Sequence, residues 1–210
     1  IYAQMGRGRS ERIMCQAIAS LAETIGRMAN DIIYFVSQNY SFITFPESLT
    51  SGSSIMPHKK NPDVFELIRA RCNKIRALPN EISMITSNLP SGYHRDLQLI
   101  KENFMPAFEN LKQCLHMTWF MLEKIEVSAD ILSDDKYKYL YSVELVNNLV
   151  LEGMPFRDAY VEVGKKIANG DFEIPKSLTH THEGSIGNLC NEEIVERFEK
   201  SYEYFSQQEM

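Results

Sequence analysis

Apolar residues recur every three or four positions over three long stretches of the chain, and that spacing predicts three long helices. In the first, about Glu11 to Gln38, Ile13, Ala17, Leu21, Ile25, Met28 and Ile32 share one stripe. Ser10 stands before it with a hydroxyl suited to cap the first turn. The second is signalled by Asn61-Pro62-Asp63. This is a capping residue, a proline whose missing N–H costs nothing in a first turn, and an acid facing the positive end of the helix dipole. It spans 62–87, with Val64, Ile68, Cys72, Ile75 and Ile82 on its stripe and a kink expected at Pro79. The third covers 102–125, with Phe104, Phe108, Leu111, Leu115, Trp119 and Leu122 on one face. Trp119 and the Phe and Met stripes read as core.

Residues 40–60 read as irregular, and Leu89-Pro90-Ser91-Gly92 reads as a break. After Val127 the elements shorten. Helices are predicted near Val143 to Glu152, Pro155 to Ala168 and Glu192 to Phe205, punctuated by Gly153-Met154-Pro155 and Asn169-Gly170-Asp171. No β alternation, internal repeat or low-complexity tract stands out. The fold class expected is all-α: a bundle of long helices over residues 1–126, then a small helical C-terminal domain over 127–210.

Composition narrows the function classes. The 210 residues are 44% hydrophobic, enough for a sizeable core. A formal net charge of -6 opposes phosphate backbones, so no nucleic-acid partner is expected. No apolar run approaches the ~20 residues of a membrane span, so no membrane partner is expected. Cys15, Cys72, Cys114 and Cys190 lie far apart with no C-x-x-C spacing, which reads as reduced thiols in a cytoplasmic protein. His180-Thr181-His182-Glu183 offers only two imidazoles and reads as a polar loop, so no metal is expected. No cofactor motif is visible, and no cofactor is expected.

The chemistry concentrates in Ser51-Gly52-Ser53-Ser54-Ile55-Met56-Pro57-His58-Lys59-Lys60-Asn61-Pro62. A glycine-containing loop exposes backbone N–H groups and runs into a helix N-terminus, with two lysines just before it. Together these suit a carboxylate or phosphate. A solvated linker with incidental lysines is the alternative from physics alone. The pattern is neither of the common glycine-rich nucleotide motifs.

The segment Gly52 to Asn61 also resembles the G-S-S-x-M-P-x-K-x-N signature of the fumarase/aspartase superfamily, and matches it at every defined position. The resemblance implies a helical fold of the fumarase/aspartase type, elimination of fumarate from a substituted succinate, and a homotetramer. Two further stretches resemble the argininosuccinate lyase family within it. One is Lys59-Lys60-Asn61-Pro62-Asp63 with Glu66-Leu67-Ile68-Arg69; the other is Tyr93-His94-Arg95-Asp96-Leu97-Gln98 with Lys101-Glu102. The family motif there is Y-N-[RK]-D-L-Q-x-x-K-E, so His94 replaces the usual Asn. Gly153 to Ala159 resembles the family's C-terminal domain, with Tyr160 where His is common.

The resemblance implies roles for these residues. Ser53 matches the catalytic base that removes a proton beside a substrate carboxylate. A serine hydroxyl is a weak base, and needs a cation, oriented amides and exclusion of water. Lys59 would stabilise the resulting carbanion. Glu66 matches the acid that pairs with a family histidine, raising its pKa and orienting it. Ser54, Asn61, Tyr93, Gln98 and Lys101 match substrate-binding positions. The substrate implied is argininosuccinate, split to arginine and fumarate by β-elimination, a step of arginine biosynthesis. The family's earlier motifs, including the segment carrying the partner histidine of Glu66, are absent from these residues. The chain is therefore expected to be the C-terminal portion of a longer enzyme and inactive alone. Another fumarate-releasing lyase, such as adenylosuccinate lyase, and a non-catalytic relative like the lens crystallins remain open.

Overall fold

The computed structural model describes residues 1–52, 54–56, 59–174, 180–185 and 187–206. They form two compact units, Ile1–Ile131 and Leu132–Met210. The first holds a short helix α1 (Tyr2–Met5), three long helices α2 (Arg9–Val36), α3 (Asp63–Ile85) and α4 (Ile100–Leu122), and two short strands β1 (Ile43–Thr44) and β2 (Glu126–Val127). The second holds α5 (Ser142–Leu151), α6 (Phe156–Asn169) and α7 (Asn191–Ser206). The fold is all-α in character, as its apolar spacing predicts.

The long helices lie within a few residues of their predicted spans, but α2 turns a different face inward. It buries Cys15, Ile18, Ala22, Ile25, Ala29 and Ile32. Of the predicted stripe, Ile25 and Ile32 are buried and Met28 packs at the edge. Ile13 and Leu21 are 53% and 55% exposed, and Ala17 also faces out. The reason is close approach. Ala22, Gly26 and Ala29 place small residues toward the neighbouring helix, and a Cβ added at Gly26 would lie 3.3 Å from the Cβ of Cys72 on α3. Helices that approach this closely select small side chains at the contact, and the larger aliphatics are left on the outer side.

Both predicted caps shift. Gly8, in the left-handed region at φ 82, stands at the N-cap of α2, and Ser10 lies inside the helix. Pro62 stands at the N-cap of α3, because Asn61 is engaged in backbone pairing with Ser51. On α3 the predicted Ile68, Cys72, Ile75 and Ile82 are buried, joined by Phe65 and Leu78, with Val64 partly buried. Pro79 lies within α3, and Pro106 within α4. On α4 the buried line is Ile100, Phe104, Ala107, Leu111, Cys114, Thr118 and Met121. Leu115, Leu122 and Trp119 fall on the exposed side; Trp119 is 67% exposed and is not core in this chain.

The thiols of Cys15, Cys72 and Cys114 fill the middle of the packing. Burial, with the charges of Glu81 and Glu11 adding to it, pushes the Cys15 thiol up to about 11. The Cys72 thiol is also raised, by its hydrogen bond with Cys114 and by burial.

β1 and β2 pair antiparallel, Ile43 with Val127 and Thr44 with Glu126. Ser128 extends the tie, its N–H donating to Phe42 O at 2.9 Å and its hydroxyl to Ser41 O at 2.8 Å. Two-residue strands are too short to show alternation, so the sequence carries no signal for them. They clamp the segment after α2 to the segment after α4. Phe45 meets Phe65 at 5.5 Å between ring centroids, seating the chain ahead of the signature loop against α3.

The second unit has its own small core of Val146, Ala159, Val163 and Phe172. α6 ends at Gly170, whose φ of 80 makes the left-handed cap that stops a helix. His180 sits 3.4 Å from Glu144 on α5 and edge-on to His182. Among the described residues, no three His, Cys, Asp or Glu side chains come together as metal ligands would. No helix of the described residues is long and apolar enough to cross a membrane.

Candidate active site

The signature loop is closed at its neck. Asn61 N donates to Ser51 O at 2.8 Å, Ser51 N to Asn61 O at 3.3 Å, and the Asn61 amide to Gly52 O at 3.2 Å. Asn61 therefore holds the two ends of the loop together with main chain and side chain. Thr50 steadies the approach, its hydroxyl donating to Glu47 O at 3.0 Å. Lys59 N donates to Met56 O at 3.0 Å, a turn that brings Lys59 and Lys60 to the surface beside the start of α3. Ser54 is exposed. Ser53, with Pro57 and His58, lies outside the described residues.

Glu66 lies in the first turn of α3 with Asp63, on the exposed side. Phe65 and Ile68, on either side of it in sequence, are buried, so α3 points the Glu66 carboxylate away from its own core.

The second segment folds into a small ordered array. Leu97 and Ile100 are buried and anchor the helical turn Arg95–Gln98 and the start of α4. Lys101 Nζ donates to Gln98 Oε1 at 3.1 Å, and Gln98 Nε2 donates to the Tyr93 hydroxyl oxygen at 2.6 Å. The lysine fixes which way the amide faces, because only the oxygen can accept from an ammonium. The amide nitrogen then occupies an acceptor site on the phenol and leaves the phenol's own hydrogen to donate elsewhere. Tyr93 is 51% exposed, so that donation can reach a ligand. His94, where the family motif has Asn, places its ring Nε2 2.9 Å from Pro90 O. In this chain it bridges the turn rather than pointing into the array.

The structure thus joins Tyr93, Gln98 and Lys101, sets Ser54, Lys59 and Asn61 on the closed loop, and sets Glu66 on α3. It also adds a residue that the pattern analysis did not select. The Arg7 guanidinium carbon lies 4.6 Å from the centroid of the Tyr93 ring. The alternation Gly6-Arg7-Gly8-Arg9 was the visible signal for a specially shaped backbone there.

The family model described as lyase matches residues 12–77. Argininosuccinate lyase of Bacteroides fragilis is 57% identical over 210 residues, covering 100% of this chain and 47% of that protein. Argininosuccinate lyase of Phocaeicola vulgatus is 59% identical over 194 residues, covering 92% of this chain and 44% of that protein. The chain spans about half the length of the curated relatives it matches. Among solved structures, a class II fumarase from Schistosoma mansoni shares the fold, with a TM-score of 0.62 at 20% identity over 80% of this chain and 39% of that one. With an unbroken signature, an ordered Tyr93–Gln98–Lys101 array and this degree of identity, the chain belongs to the argininosuccinate lyase family of the fumarase/aspartase superfamily.

Proposed function

We propose that the full-length protein containing this chain splits argininosuccinate into arginine and fumarate, a step of arginine biosynthesis. The observation that carries the reading is the hydrogen-bonded run Lys101–Gln98–Tyr93, a preset line of donors inside the segment most particular to this family. Such a line suits a substrate rich in carboxylates, since donors held in place lose little freedom on binding.

In the proposed reaction Ser53 takes a proton from the carbon beside a succinyl carboxylate. The charge left behind spreads into that carboxylate, and Lys59 neutralises it. The carbon–nitrogen bond then breaks, its electron pair leaving with the guanidino nitrogen, which gains a proton as the double bond of fumarate forms. Glu66 orients an imidazole supplied by the rest of the protein, and that group is suited to deliver or receive protons near neutral pH. Ser54, Asn61, Tyr93, Gln98 and Lys101 hold the substrate.

The assembly we propose is a cytoplasmic homotetramer. Ile13 and Leu21 on α2, and Leu115 and Trp119 on α4, turn large apolar side chains away from the chain's own core. Packing against copies of these helices would bury them, at roughly 1.5–3 kcal/mol per fully buried side chain. The deciding experiment is fumarate release by purified full-length protein, with argininosuccinate and adenylosuccinate offered side by side. Release from argininosuccinate alone is expected. Release from adenylosuccinate alone, or from neither, would remove the reading.

A further inference from the structure

The Tyr93 phenol stands on a bend that the backbone does little to hold. Leu89 packs against the main core and Leu97 is buried in it, so the chain is anchored on both sides of Tyr93. It turns sharply on the way, with Asn88 at φ 62 ahead of Leu89 and Gly92 at φ 129 ahead of Tyr93. Among the described residues, no backbone hydrogen bond closes the stretch from Leu89 to Tyr93. One side chain does: the half-buried His94 places its ring Nε2 2.9 Å from Pro90 O. A carbonyl oxygen only accepts, so Nε2 carries a hydrogen and donates it. Protonating the ring adds a hydrogen at Nδ1 and leaves this donation in place. The main-chain oxygen of His94 also accepts from Leu97 N at 3.3 Å. His94 therefore ties the bend before Tyr93 to the buried anchor after it.

His94 is also the N-cap of the turn Arg95–Gln98, with extended backbone at φ -126 and ψ 144, yet its side chain makes no cap hydrogen bond. Such a position suits a short polar side chain that reaches forward to the turn's own N–H groups. An asparagine, as in the motif this segment resembles, fits that use. The longer imidazole of this chain reaches back instead. It serves the bend upstream rather than the turn downstream, and Tyr93 lies inside the loop that it closes.

We propose that His94 is a positioning residue for substrate binding: by clasping Pro90 it holds the Tyr93 phenol in line with Gln98 and Lys101. This rests on the function proposed above. Released from the clasp, the bend samples other shapes, and ordering it again is a cost met at each binding event. The effect falls on affinity and not on the bond-breaking step, because His94 itself touches no reacting atom.

The test uses the full-length protein as wild type, His94→Ala and His94→Gln. It measures affinity and kcat with argininosuccinate, and amide hydrogen exchange of the stretch 90–98 without ligand. His94→Ala should weaken affinity about 2-fold to 10-fold, the worth of one neutral hydrogen bond, with kcat within about 2-fold of wild type. Exchange in the stretch should quicken by a similar factor. His94→Gln, whose amide N–H has nearly the reach of Nε2, should restore both. In a Tyr93→Phe background, His94→Ala should cost no further affinity, because the hydroxyl it positions is gone. Unchanged affinity in His94→Ala would overturn the proposal. So would equal losses in the alanine and glutamine variants, a fall in kcat alone, which marks a part in proton transfer, or the full extra loss in the Tyr93→Phe background, which marks a substrate contact of its own. If His94→Ala fails to fold, His94→Phe keeps a ring without a donor and is read by the same criteria. A wild type that does not act on argininosuccinate sinks the substrate reading. The exchange comparison then decides the clasp by itself: quickened exchange in His94→Ala upholds it, and unchanged exchange overturns it.

Discussion

At the scale of single residues, the proposed chemistry separates Ser53 from Lys59. If Ser53 is the base, Ser53→Ala in the full-length protein should lower kcat by about 10²–10⁴-fold, the usual worth of one general base, while direct substrate binding holds. Lys59→Ala should harm affinity and rate together, because its charge meets the carboxylate before and during proton loss. Near-normal turnover in Ser53→Ala would take serine out of the mechanism. A different residue gives a pH prediction. The Cys15 thiol is raised from 9.0 to about 11, chiefly by burial, so the folded state favours the protonated form. The sign follows from linkage: this contribution to stability is complete below pH 9 and is lost as pH rises toward about 11. The thermal midpoint of wild type should therefore fall more steeply than that of Cys15→Ala across that interval. Parallel decline of the two proteins would show that Cys15 plays no part.

At the scale of elements, α3 is the central strut, buried against α2 on one side and touching α4 on another. Adjacent residues on it offer a sharp contrast. Ile68 is buried in the main core, whereas Leu67 is 62% exposed. In this chain Ile68→Ala should cost roughly 2–5 kcal/mol, as large-to-small changes in cores do, and Leu67→Ala should stay within about 0.5 kcal/mol. Denaturant midpoints compare them directly, and equal losses would contradict the packing described for α3. The helix spans were legible because a long amphipathic repeat is a local property. The caps were less so. Ser10 has the right chemistry for a cap, but the chain begins its helix earlier, where Gly8 is pinned against Thr86. Asn61 has the right chemistry too, but its side chain closes the signature loop instead.

At the scale of the whole molecule, the outward apolar faces of α2 and α4 are the basis for proposing assembly. Leu21→Asp combined with Trp119→Asp should turn a full-length tetramer into smaller species, as light scattering would read. Placing charges inside a buried contact leaves them without water or partners. A full-length wild type that already scatters as a single chain would remove the proposal. The faces also account for Trp119, which reads as core in sequence yet is exposed in this chain: a large aromatic on an apolar stripe looks the same whether its cover comes from the same chain or from another.

What the sequence determined by itself is what short stretches of chain can encode. Repeats of three and four residues set the long helices, Gly170 the end of α6, and the run from Gly52 to Asn61 the kinship with a lyase superfamily. Only the tertiary structure decided which side of α2 faces in, because the choice turns on how closely Gly26 lets that helix approach Cys72, and no local pattern contains that distance. It likewise decided that Ile43–Thr44 pairs with Glu126–Val127, and that Arg7 rests on Tyr93. Each of these joins residues far apart in the chain, and closing such long loops is a cost met by the packing of the whole unit rather than by any short stretch.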